Sequence, residues 1–229
     1  IRLALRGDVA ALVTGPIDKA IFPTAGLAFV GQTEMLGARA GVPDPLMVLT
    51  NPRLSVGVLT THIPLARVPS AVTGPALLAA LRRLDAFARA CHGVAAPRLA
   101  VAGLNPHLGD GGLAGDEDAR IVAPAVASAR TEGLCVEGPI AADAVFGRAL
   151  TGEFDAVLGL YHDQALIPVK LVDFDGTVNV TVGLPFWRTS PDHGTAYDRA
   201  WGTGGAVSAA STLAALDLAR RLAAAPDHS

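Results

Sequence analysis

Short, continuous apolar runs alternate with longer amphipathic stretches along the 229 residues of the chain. The runs 9–13, 46–49, 56–59, 99–102, 156–160 and 178–182 each have the length of a strand, and most are bounded by Gly, Pro or Asn. Between them, 75–89 places Leu77, Leu78, Leu81 and Leu84 at helical spacing. The stretch 116–130 opens with acidic residues, which suit a helix N-terminus. The stretch 207–225 sets Leu213, Leu216, Leu218 and Leu222 close to one face and predicts a third helix. Strands alternating with helices predict an α/β fold. The chain contains no internal repeat and no low-complexity tract.

Composition narrows the picture. Apolar residues make up 51% of the chain and charged residues 17%, with a net charge of −3, so the chain has the material for a packed core and is not disordered. The charge leaves no basic footprint for nucleic acid or an acidic membrane surface, and no apolar run approaches a membrane span. Cys91 and Cys135 form no CxxC pair, which fits a reducing, cytoplasmic setting. The chain opens Ile1-Arg2-Leu3-Ala4-Leu5 without Met, as though a helix had been cut, and the expectation is a fragment. Arg outnumbers Lys 16 to 2, so Lys19 and Lys170 stand out as residues chosen for chemistry, with chance as the plain alternative.

Three of the six histidines follow closely on a strand-like run: His62 after 58–61, His107 after 104–106, and His162 after 158–161. Ligands in open α/β sheets bind beyond the carboxyl ends of strands, so three imidazoles delivered there suit one metal ion. For any one alone, an ordinary loop or core histidine is the simpler reading. Asp163 and Asp143 are candidates for completing such a site, orienting a ligand or handling a proton, or else are turn and cap residues. Further on, Arg188 offers a planar fork for phosphate or carboxylate, and Asp192-His193-Gly194-Thr195-Ala196 and Gly202-Thr203-Gly204-Gly205 offer backbone amides. No GxGxxG and no GxxxxGK[ST] occurs, so neither a Rossmann nor a P-loop nucleotide site is supported.

Val13-Thr14-Gly15-Pro16-Ile17-Asp18-Lys19, Gly31-Gln32-Thr33-Glu34, Thr60-Thr61-His62-Ile63-Pro64-Leu65, Leu104-Asn105-Pro106-His107, Tyr161-His162-Asp163-Gln164, Gly183-Leu184-Pro185-Phe186 and 188–196 occur in one order. In that order they resemble the PdxA family of 4-hydroxythreonine-4-phosphate dehydrogenases over essentially the whole chain. The resemblance implies an isocitrate/isopropylmalate-dehydrogenase-like fold of two α/β/α layers with an interdomain cleft. Residues 1–28 with 185–229 would form a remnant of the first domain, carrying the cofactor loop. Residues 29–184 would form the second, with the metal ligands and a dimer interface.

The activity implied is the NAD- or NADP-linked, metal-dependent oxidation of 4-phosphooxy-L-threonine to 2-amino-3-oxo-4-phosphooxybutanoate. That product decarboxylates to 3-amino-2-oxopropyl phosphate, in pyridoxal 5'-phosphate biosynthesis. By the same resemblance, His62, His107 and His162 hold the metal, shared across a homodimer; the ion is zinc, or alternatively Mg, Co, Mn or Ni. Gln32, Thr33, Lys170, Asn179 and Arg188 match substrate-binding positions, and Lys170, Asp163 and Asp143 are the catalytic candidates. His193, Gly194, Thr195 and Asp198 match the cofactor loop.

Three departures stand out. Gln32 occupies the place of the family's usual His, which leaves open a related four-carbon phosphorylated sugar acid as substrate. Trp201 interrupts the small residues after Asp198. Family members are also about a third longer and begin with a Gly-Asp-Pro-rich segment. A zinc hydrolase built on the three histidines is the rival enzyme class.

Overall fold

A computed structural model of the chain describes residues 1–29, 31–197 and 208–225. The chain forms two compact units. The first comprises Ile1–Pro45 and Asp175–Ala224, and the second is built on Leu46–Phe174.

The first unit contains α1 (Arg2–Leu5), β1 (Ala11–Val13), α2 (Ile21–Thr24), α3 (Gln32–Ala40), β7 (Val178–Val182), β8 (Trp187–Pro191) and α9 (Ala210–Ala224). Its strands lie in the order β1-β8-β7, with β1 parallel and β7 antiparallel to β8. Strand β8 reads Trp-Arg-Thr-Ser-Pro and escapes the hydrophobic pattern, yet all but Trp187 are buried. The buried Thr189 hydroxyl has a partner: Thr189 Oγ1 donates to the Ala215 carbonyl at 2.9 Å, pinning α9 to the strand. Helix α9 exists as expected but turns a different face inward. Ser211, Ala215, Leu218, Ala219 and Leu222 are buried, whereas Leu213 and Leu216 face solvent. The buried set follows i, i+4, i+7, i+8, i+11, which is the more regular helical stripe.

The second unit orders its strands β2-β3-β6-β4-β5: β2 (Leu46–Thr50), β3 (Ser55–Thr60), β4 (Leu99–Ala102), β5 (Val136–Ile140) and β6 (Ala156–Tyr161). β2 and β3 form an antiparallel hairpin whose turn is held by Asn51 Oδ1, which accepts from the Arg53 and Leu54 amides at 3.0 Å each. The other pairings are parallel. The helices are α4 (Val68–Ala71), α5 (Gly74–His92), α6 (Ala123–Thr131), α7 (Ala142–Leu150) and α8 (His162–Val172). Met47, Leu49, Val56, Val58, Ala100, Ala102 and Val157 cluster with Val145 of α7 and Ala165 and Val169 of α8. On the opposite face, Leu84 of α5 meets Leu46 and Leu158 around Gly57. Helices therefore cover both faces, which is why these strands read as unbroken apolar runs rather than as alternation.

Helix α5 matches its expected position and is capped by Thr73, whose hydroxyl accepts from the Ala76 amide at 3.4 Å. The helix expected over 116–130 starts later. Asp118–Val122 forms a wide π-type turn, because the buried Asp118 carboxylate is spent on the amides of Leu104 and Asn105, at 2.7 and 2.8 Å.

Candidate active site

In the second unit the three strand-end histidines fall on three neighbouring parallel strands. His62 follows β3, His162 follows β6 and His107 follows β4. β6 lies between the other two, and Thr60 is in register with Tyr161. The His62 and His162 ring centroids lie 5.7 Å apart with the planes inclined at 46°. Both rings line a cavity of about 310 Å³, together with Thr61, Ile63, Tyr161 and Asp163. A larger groove of about 560 Å³ runs past Leu78, Arg82, Arg120 and Ile121, but neither imidazole nor carboxylate lines it.

His162 does not end a strand but opens α8, and Asp163 lies in the first turn of that helix. The Asp163 carboxylate sits 2.6 Å from His162 Nδ1, which leaves Nε2 as the nitrogen available to a ligand. His107 sits on a turn of left-handed backbone: φ is 51° at His107, 59° at Leu108, 87° at Gly109, 43° at Asp110 and 66° at Gly111. Side chains pay for this conformation at about 1–2 kcal/mol per residue. Asp118 holds the start of the loop, and Asn105 Nδ2 donates to Glu117 at 2.9 Å. A Cβ on Gly109 would run into the Gly115 carbonyl oxygen, so the turn closes only with glycine there. Among the described residues, no group of three or more His, Cys, Asp and Glu is placed to hold a metal ion. The single chain thus pairs His62 with His162 and does not gather His107 with them into a three-ligand group.

Asp143 is exposed in the first turn of α7, a position that favours a carboxylate for its own sake. Lys170 lies in the last turn of α8, with its ammonium 5.5 Å from the Phe174 ring centroid. Lys19 is exposed.

A second cluster belongs to the first unit. Arg188 is only 3% exposed. Its Nη2 donates to Gln32 Oε1 and Thr14 Oγ1, each at 2.7 Å, its Nε donates to Thr14 Oγ1 at 3.0 Å, and its Nη1 donates to Thr181 Oγ1 at 3.2 Å. All three partners are neutral. Burial pushes the guanidinium down to about 10, against the field of Glu34, which raises it. Gln32 and Thr33 open α3, whose N-terminus has no side-chain cap. Asn179 lies two residues from Thr181 on β7, on the face that carries Arg188, and its Oδ1 is buried without a hydrogen-bond partner. Thr14 and Thr181 had no mark as site residues in the sequence; adjacency to the end of β1 and to Asn179 was the available signal.

Beyond β8, His193 donates from Nδ1 to the Gly194 carbonyl at 2.9 Å, and Gly194 and Thr195 have no regular structure. Asp198 and Trp201 lie outside the described residues. No helix among those residues is long and apolar enough to cross a membrane, and neither Cys91 nor Cys135 is in a disulfide.

The family profile described as "Pyridoxal phosphate biosynthetic protein PdxA" matches residues 1–219. The chain is 46% identical over 223 residues to a 4-hydroxythreonine-4-phosphate dehydrogenase of Bradyrhizobium diazoefficiens, covering 96% of this chain and 64% of that one. It is 48% identical over 225 residues to a Symbiobacterium thermophilum protein with the provisional name D-threonate 4-phosphate dehydrogenase, covering 98% and 66%. Among solved structures, 4-hydroxythreonine-4-phosphate dehydrogenase from Klebsiella pneumoniae superposes with a TM-score of 0.87 at 44% identity, over 97% of this chain and 67% of that one. The chain therefore spans about two thirds of the length of these relatives, and slightly less for the first. The α/β fold expected from the strand–helix alternation is that of these dehydrogenases, related to the isocitrate/isopropylmalate-dehydrogenase-like architecture.

Proposed function

The chain belongs to the PdxA family, and from that premise we propose that it serves a metal-dependent, NAD- or NADP-linked dehydrogenase that oxidises 4-phosphooxy-L-threonine, a step in pyridoxal phosphate biosynthesis. The observation that carries this reading is the arrival of His62, His107 and His162 at the carboxyl ends of three neighbouring parallel strands.

The donor set fits a divalent cation. The 5.7 Å between the His62 and His162 ring centroids is a separation at which both imidazoles could reach one divalent cation. Asp163 fixes the tautomer of His162 as an outer carboxylate does for a ligating histidine. His107 supplies the third donor in this proposal, in a site shared across a homodimer. Ile167 and Leu171, one helical turn apart on α8, are 58% and 81% exposed beside Phe174 at 64%, an apolar strip suited to a second copy. Zinc is the first choice of ion, with Mg, Co, Mn or Ni in its place where available. An ion bound there would supply Lewis-acid polarisation of the substrate hydroxyl, and a nicotinamide the hydride acceptor.

The chain's own residues do the rest. Arg188, with Asn179 and Thr33, binds the anionic end of the substrate and positions its carbinol carbon. A buried guanidinium with neutral partners is costly until an anion arrives, and the open Oδ1 of Asn179 awaits a donor. Lys170 or Asp163 accepts the hydroxyl proton, with Asp143 as a third candidate, and His193, Gly194, Thr195 and Asp198 receive the cofactor. The product holds its carboxylate β to a ketone and so loses carbon dioxide readily. A cytoplasmic setting completes the proposal.

A second reading has its own support. Gln32 turns its carbonyl to Arg188, which leaves its amide hydrogens for the ligand. Donors suit a hydroxyl better than the ammonium of an amino acid, and one relative is named for D-threonate 4-phosphate. The deciding experiment follows reduced nicotinamide by absorbance, with 4-phosphooxy-L-threonine and phosphorylated four-carbon hydroxy acids, both cofactors and defined metals. Turnover of the amino acid phosphate alone upholds the first reading, and of the hydroxy acid alone the second. Consumption of either substrate with no nicotinamide reduced, followed by phosphorus NMR in the same mixtures, overturns both.

A further inference from the structure

We propose that Gln164 is a positioning residue that stands in for a missing peptide between β4 and β6 and thereby sets the spacing of His107 and His162. The parallel ladder between these strands pairs Leu99 with Ala156, Ala100 with Val157 and Val101 with Leu158. Two residues further on, at the same offset, the next positions are Gly103 and Leu160. No ladder bond joins them; the buried Gln164 amide lies between them instead. Its Oε1 accepts from the Leu160 amide at 2.6 Å, and its Nε2 donates to the Gly103 carbonyl at 2.8 Å. A primary amide carries one acceptor and two donors, so it can replace a peptide unit at both ends at once.

The clamp lies where the two strands part, and each then delivers a histidine. Leu160 leads through Tyr161 to His162, and Gln164 itself sits in the first turn of the helix that His162 opens. Gly103 leads into Leu104 and Asn105, whose amides are held by Asp118, and then to the left-handed turn that carries His107. The Gly103 amide is tied on its other side to the Ile140 carbonyl at 2.7 Å. One side chain therefore bridges both routes at the last point before they diverge.

Two near-isosteric variants separate the roles of the amide. Gln164→Glu keeps an acceptor for Leu160 but sets a carboxylate against the Gly103 carbonyl. Gln164→Met fills the space and leaves both backbone groups unpaired. Leu84→Ala, a core truncation on the helix covering the other face, serves as a control of lowered stability. The imidazole nitrogen resonances of His107 and His162 are recorded at fixed pH in metal-free protein. They should shift in both Gln164 variants and hold their positions in Leu84→Ala. Cobalt(II) affinity should fall 10–100-fold in the Gln164 variants only.

Resonances unmoved in the Gln164 variants, or moved equally in Leu84→Ala, overturn the proposal. Should both variants fail to fold, hydrogen exchange in the unaltered protein decides it. A Leu160 amide protected as well as that of Leu158 supports the clamp, and free exchange there overturns it. The cobalt measurement alone rests on the metal reading above. An unaltered protein that binds no cobalt removes that reading, and the resonances and exchange still judge the clamp.

Discussion

Replacing Arg188 with Met separates a charge kept for a ligand from a charge kept for the fold. Burial moves the guanidinium from its ordinary value down to about 10, so carrying the charge without a ligand costs on the order of 3 kcal/mol. The sign follows from the direction. Below pH 10 the group is charged in both folded and unfolded chains, so the cost is fully present at neutral pH. It is relieved only as pH rises from about 10 toward the unfolded value. Met removes this cost but deprives Thr14, Thr181 and Gln32 of donors, at about 1 kcal/mol for each acceptor. Gln32 recovers part of that loss, because its Oε1 still accepts from the Thr14 hydroxyl at 3.2 Å. The two effects nearly offset, and the melting temperature of the unliganded variant should stay within about 5 °C of the parent.

Ligand binding should respond very differently. Inorganic phosphate at about 100 times its Kd adds roughly 2.7 kcal/mol to the parent, or roughly 5–10 °C by differential scanning fluorimetry. In Arg188→Met that rise should vanish. A variant that melts more than about 10 °C lower, or that keeps the full phosphate-induced rise, would refute the reasoning.

Other outcomes can be checked in the same protein. Asp155 accepts from Arg98 Nε, Nη2 and the Arg98 amide; burial raises its carboxyl, but these bonds outweigh it and hold it below the usual range. Its contribution is present above the ordinary carboxylate value and lost as pH falls through the folded one, so Asp155→Asn should cost about 1 kcal/mol at pH 7 in urea titrations and nothing at the acid end. Gly109→Ala should abolish the left-handed turn, visible as lost protection of the 104–115 amides in hydrogen exchange while α9 keeps its own. On α9, Leu218→Ala should cost about 2–4 kcal/mol by urea denaturation and Leu216→Ala less than about 1, since only the first is buried.

The strands buried on both faces were legible as apolar runs, because Val48, Val56, Val101 and Leu158 have no water side to demand a polar neighbour. β5 was not, since Glu137, Gly138 and Pro139 interrupt it at the sheet edge. β8 was hidden because its buried Arg188, Thr189 and Ser190 read as a loop, and only the fold shows that Thr14, Thr181 and Gln32 partner Arg188 and the Ala215 carbonyl partners Thr189. In α8, Pro168 and the exposed Ile167 and Leu171 blur the helical stripe. That His62, His107 and His162 come just after strands was legible from the apolar runs before them. The left-handed turn under His107 had only a partial signal: Gly109, Gly111, Gly112 and Asp110 suit a positive φ, but Leu108 does not, and no sequence rule marks a run of five such residues.

The proposed metal-dependent oxidation requires the strand-end imidazoles to hold an ion. It is tested most directly by stripping the protein with chelator and titrating a divalent ion back while nicotinamide reduction by the phosphorylated substrate is followed. The rate should climb from zero to a plateau in the parent and stay at zero in a folded His107→Ala variant. Full turnover by that variant, with the ion removed, would contradict it.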